Sequence, residues 1–88
     1  MANIHKKIWP QYFDGVQSGK KKYELRLNDF KVQAGDTLVL EEWDPKIKKY
    51  TGRVVEKKVT SVAAFRIDKL FWSEDEIRKH GLQIFSLE

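Results

Sequence analysis

The 88-residue chain has room for one compact domain, residues 1–88, and excludes a two-domain enzyme with a cleft between its halves. Its hydrophobic fraction of 41% and aromatic fraction of 12% suffice for a core, and the lack of cysteine excludes disulfides, thiolate metal sites and thiol catalysis. Lys and Arg outnumber Asp and Glu by 17 to 13, a formal charge of +4 with a pI near 9.4. The excess is one-sided: residues 1–58 hold thirteen basic against eight acidic side chains, and the remainder four against five. That distribution allows a basic face for a phosphate-bearing partner, or equally a set of solvated lysines on edge strands and loops. No apolar run approaches the roughly 18 residues of a membrane span. The start, Met1 to Lys7, lacks the apolar core of a signal peptide, so the expectation is a cytoplasmic protein with no membrane partner.

In chain order, Ile4 to Trp9 reads as a short first strand that stops at Pro10. Pro10 suits a first helical position, Tyr12, Phe13 and Val16 recur at helical spacing, and Gly19 supplies a stop, which predicts a helix over 10–18. Lys22 to Asn28 alternates, with Tyr23, Leu25 and Leu27 on one side, and predicts a second strand. Ala34-Gly35-Asp36 is a tight turn, and Thr37 to Trp43 a strand whose Leu38-Val39-Leu40 run predicts burial on both faces. A loop from Asp44-Pro45 to Thr51-Gly52 leads to a long strand over Arg53 to Phe65, antiparallel to its predecessor and bulged near Glu56 to Lys58. Ser73-Glu74-Asp75-Glu76 is a capping box opening a helix over 74–80, which Gly81 ends. Leu82 to Leu87 is the final strand. These elements predict an α+β domain built on a curled sheet or small barrel.

Negative findings prune the chemistry. His5 and His80 have no metal-ligand spacing, so no metal site is expected. No cofactor is expected either, because no serine elbow, phosphate loop or dinucleotide fingerprint is present. The segment Gly19-Lys20-Lys21-Lys22-Tyr23-Glu24-Leu25-Arg26 stands out. Glu24 and Arg26 lie two apart on the expected strand, so Glu24 can orient the Arg26 fork toward a phosphate or base edge, with Lys21 as a nearby charge. The alternative is a salt bridge on a solvated sheet face beside a lysine-rich turn.

With Gly19, Lys21, Glu24 and Arg26, the chain resembles the ASCH domains of the PUA-like superfamily, whose hallmark is Gly-x-Lys-x-x-Glu-x-Arg after a first strand and short helix. The flanks Pro10-Gln11-Tyr12-Phe13, Val32 to Asp36 and Glu42-Trp43-Asp44-Pro45 extend the resemblance over about residues 4–62, to a small stand-alone bacterial or phage branch. The resemblance implies a PUA-like β-barrel of five or six mostly antiparallel strands with two short helices. It also implies a cleft at the motif that takes RNA or a nucleotide-like ligand. Lys21, Glu24 and Arg26 would bind it, Lys20, Lys22 and Arg53 would add charge, and Trp9 and Trp43 would stack bases, with Tyr12, Tyr50 and Trp72 as further aromatic candidates.

Some members of that family deacylate a modified cytidine, using a Lys at the motif lysine and a Thr at the motif glutamate. Here Lys21 is kept and Glu24 stands in place of the Thr. The hydroxyl nucleophile is thus absent from its expected place; a nucleoside amidohydrolase acting on acylated cytidine, motivated by Lys21 and with Lys21 and Glu24 as its catalytic groups in a different chemistry, is one alternative. A protein-interaction domain presenting Phe71-Trp72 and the acidic helix over 74–80 is the other.

Overall fold

A computed structural model describes residues 1–85. Strand β1 (Asn3–Ile8) leads into helix α1 (Pro10–Gln17), and an irregular stretch then reaches strand β2 (Thr37–Asp44). A short turn joins β2 to strand β3 (Lys49–Lys58), followed by a 3-10 turn (Ile67–Lys69) and helix α2 (Glu74–His80). The sheet order is β1-β2-β3, with β1 parallel and β3 antiparallel to β2. This is a small α+β fold on an open, mixed sheet. The expected closed barrel of five or six strands is not formed: β1 and β3 are both edge strands.

The first half follows local signals. Pro10 opens α1 without needing its missing N–H, and Gly19, at φ 84°, stops it in the left-handed conformation. Asp36 fixes the start of β2. Its two carboxylate oxygens accept from the backbone N–H groups of Ala2 at 2.9 Å and Gln33 at 3.0 Å, closing the turn at Ala34-Gly35 and tying β1 to β2. Val39 and Leu40 are both buried, on opposite faces, as their run predicts. Ile8, Phe13, Val16 and Leu40 form the core between sheet and helix, with Leu38 and Val55 packed against it.

Five expectations need correction. Lys22 to Asn28 is no strand: the segment reaches β1 through the Arg26 side chain and enters no backbone ladder, and Leu25 and Leu27 are exposed. The loop after β2 is only a four-residue turn, in which Asp44 Oδ1 accepts from the N–H of Lys46 at 2.9 Å and Lys48 takes a positive φ of 54°. β3 therefore begins at Lys49 and ends at Lys58, short of Phe65. Its irregularity lies earlier than expected: Glu41 pairs with Val54 and Trp43 with Tyr50, so Thr51, Gly52 and Arg53 together face Glu42. Gly52, at φ 96°, permits this bulge. Residues 82–85 of the expected final strand are irregular, and 86–87 lie outside the described residues. The bulge, with Lys49, Lys57 and Lys58, also blunts the free edge of β3 against strand addition.

Helix α2 matches its sequence signature. The Ser73 hydroxyl accepts from the Glu76 N–H at 3.2 Å, the Glu76 carboxylate accepts from the Ser73 N–H at 3.1 Å, and Gly81 ends the helix at φ 73°. None of its residues is buried. Its stability is therefore local, and Ser73→Ala is expected to cost it about 1 kcal/mol. Amide hydrogen exchange should show this as faster exchange in α2 alone, with protection in the sheet unchanged.

Candidate functional site

After Gly19 the chain turns back along α1. The Lys21 N–H donates to the Gly15 carbonyl at 2.8 Å, which brings the Lys21 side chain between Tyr12 and Tyr23, its Nζ 5.1 and 5.2 Å from their ring centroids. Glu24 lies below. Its Oε2 accepts from Arg26 Nε at 2.7 Å, and Arg26 Nη2 donates to the Lys7 carbonyl of β1 at 2.5 Å. Arg26 thus fastens the irregular segment to the sheet edge in place of a backbone ladder. The other oxygen, Glu24 Oε1, is buried and accepts no hydrogen bond; Lys21 Nζ lies 3.7 Å away. The arrangement is a clasp: a held carboxylate with one buried acceptor position that no hydrogen bond fills, beside a cation and two half-exposed phenol rings.

The remaining residues named from the sequence do not join it. Lys20 and Lys22 are exposed and pair with no carboxylate among the described residues. Trp9 is half-exposed before α1. Trp43 lies edge-on to Tyr50, with centroids 5.0 Å apart, on the sheet face opposite α1, and Lys7 Nζ covers its ring at 3.8 Å.

Arg53 belongs to a separate network that sequence reasoning missed. Two of its nitrogens, Nε at 2.9 Å and Nη2 at 2.6 Å, grip the buried Glu42 carboxylate, which also accepts from the Thr51 hydroxyl. A third, Nη1, reaches Asp14 of α1 at 3.1 Å, and the guanidinium lies 4.4 Å from the Phe13 ring centroid. The β3 bulge makes this possible by pointing both Thr51 and Arg53 at one carboxylate. The grip of Arg53, then the Thr51 bond, holds the Glu42 carboxyl below the usual carboxylate range against the opposing effect of burial. A glutamate following Leu38-Val39-Leu40, with an arginine on the strand that returns, was the available signal; the bulge that aligns them was not.

Among the described residues no basic cleft gathers at the motif. Two hollows of about 540 and 560 Å³ open elsewhere, the first between Ile67 and α2, the second between Phe30, Val32 and Val62. Neither is lined by Lys21, Glu24 or Arg26. Among the described residues there is no cluster of metal-ligating side chains, and no helix is long and apolar enough to cross a membrane.

Residues 4–71 match a family described as a domain of unknown function, DUF3850. The chain belongs to the DUF3850 family. It is also 42% identical over 83 residues to the "Uncharacterized 12.9 kDa protein in GpA 3'region" of Escherichia phage P2, an alignment covering 93% of this chain and 71% of that protein. No solved structure matches. The family match and the open sheet overturn the resemblance to ASCH domains, and with it the RNA-binding PUA-like module. The cytidine amidohydrolase alternative depended on the same resemblance and falls with it. The protein-interaction domain is likewise not what the comparisons return.

Proposed function

We propose that this DUF3850 protein recognises a small, planar, polar ligand at the clasp between α1 and β1. The observation that carries the reading is Glu24 Oε1, a buried oxygen with no hydrogen bond although its partner oxygen is fixed by Arg26. Buried polar atoms are nearly always satisfied, so an open acceptor on a held carboxylate fits an N–H or O–H donor brought by a ligand. Lys21 adds a cation for an acceptor or anionic group on the same ligand edge, and Tyr12 and Tyr23 offer aromatic faces to a flat ring. Cyclic amides and the bases of single nucleosides carry such an edge, and a nucleotide-like partner enters this reading only through its base. The reading places the protein in the cytoplasm, on its sequence rather than its geometry.

Isothermal titration with cytidine, guanosine and 2-pyridone tests the proposal. Binding by at least one compound is expected, and Lys21→Met should weaken it at least tenfold, about the value of a hydrogen bond to a charged group, with an unchanged melting temperature. Absence of heat with all three compounds, or full affinity in the variant, contradicts it.

A further inference from the structure

The surface of the protomer is too large for its mass. A folded monomer of 10.4 kDa exposes about 5,400 Å², and this chain exposes 7675 Å², about 2,300 Å² more. Its radius of gyration, 14.9 Å, exceeds the roughly 12 Å expected for a compact domain of this length. Much of the exposed apolar surface lies after β3. Phe65, Phe71, Trp72, Leu82, Ile84 and Phe85 are all about half-exposed or more, Phe71 almost completely so at 97%. Neither the 3-10 turn nor α2 packs extensively on the sheet, and neither buries a residue. The sheet face opposite α1 is also uncovered in part, with Tyr50 and Val54 half-exposed beside Trp43.

We propose that the protein is a twofold dimer in which the apolar stretch after β3 of each protomer packs on the Trp43–Tyr50–Val54 face of the other. The occupant is a second copy because each chain carries both halves of the contact, so one twofold operation satisfies both at once. The area agrees: obligate dimers bury 2,000–5,000 Å² in total, roughly 1,000–2,500 Å² per chain, which brackets the excess. The face is close to neutral, because the register sets Tyr50, Val54, Glu56 and Lys58 on it and turns Lys49, Arg53 and Lys57 to the α1 side, so apolar contact carries the packing.

Sedimentation equilibrium on the full chain, from micromolar to hundred-micromolar loading, tests this. A mass near twice 10.4 kDa is expected, and the double variant Phe71→Ser, Phe85→Ser should raise the dimer dissociation constant at least about 100-fold, since buried aromatic anchors dominate such interfaces. Should that variant fail to fold, isotope-filtered NMR on mixed labelled and unlabelled wild-type protein decides the point. Cross-chain contacts between the Phe71 or Phe85 rings and Trp43 or Tyr50 support the dimer. A single species at monomer mass throughout, a dimer without those contacts, or an open-ended series of larger species overturns it.

Discussion

Phe13→Ala is expected to leave the protein largely unfolded at physiological temperature. The Phe13 ring is completely buried, and it joins β1, β2 and α1 through Ile8, Leu40 and Val16. Truncating a buried phenylalanine costs about 3–5 kcal/mol through lost transfer energy and the cavity left behind. Total stability in domains of this size is of the same order, roughly 0.05–0.15 kcal/mol per residue. Among the described residues only Ile8, Phe13, Val16, Val39 and Leu40 are buried hydrophobics, and they offer no second core to compensate. Phe13→Leu, which keeps most of the volume, should cost about 1.5 kcal/mol or less. Urea denaturation followed by circular dichroism separates the two variants, and an unchanged midpoint for Phe13→Ala would show that the core lies elsewhere.

The second large effect is expected from Arg53→Ala. Its guanidinium satisfies the buried Glu42 carboxylate, reaches Asp14 and covers Phe13, so its loss leaves a carboxylate without its main partner under the hairpin. A fall in melting temperature of about 5–10 °C at neutral pH is expected. The pH dependence identifies the cause. In the wild type, Arg53 and Thr51 hold the Glu42 carboxyl below its ordinary 4.5, and the backbone N–H groups of Ala2 and Gln33 hold Asp36 below its ordinary 3.8. The unfolded chain therefore takes up protons first. Stability from both groups is complete above those ordinary values and is lost as pH falls through the lower folded values. In Arg53→Ala the depression at Glu42 is largely removed, so less is lost on acidification. The difference in melting temperature between variant and wild type should shrink from neutral pH to below 4.5. A difference independent of pH would mean that Arg53 acts through packing on Phe13 alone.

What the sequence reveals here is mostly what residues close in the chain decide. The capping box at Ser73, Pro10 at the start of α1 and Gly19 and Gly81 at helix ends each act within one turn, and each stands where its neighbours place it. The turn at Ala34-Gly35 and the burial of Val39 and Leu40 also stand where the sequence places them; the two backbone bonds to the Asp36 carboxylate were not foreseen. The alternation of Lys22 to Asn28 did not make a strand, because alternation describes a face a strand could bury and carries no information on whether its backbone joins a ladder. The outer edge of β1 is free, and Arg26 ties the segment to it through a side chain instead. The resemblance to ASCH domains failed for a related reason. Gly19, Lys21, Glu24 and Arg26 specify a local turn and clasp, both of which are present, but nothing in four residues closes a sheet. Arg53 was singled out for its charge alone; its partner Glu42 became legible only once the bulge at Gly52 set the register.

The proposed site makes one direct demand, that Glu24 Oε1 accepts a hydrogen bond from the ligand. Carbon-13 NMR of the side-chain carboxyl of Glu24, together with the Nε–H of Arg26, recorded while cytidine, guanosine or 2-pyridone is added, reads that position directly. The expected result is a saturable shift of the Glu24 carboxyl with the Arg26 Nε–H retained, because the ligand takes Oε1 and leaves Oε2 to Arg26. A Glu24 signal that stays fixed while others move around Ile67 and Ile77, or a spectrum unchanged by all three compounds, would contradict the proposed site.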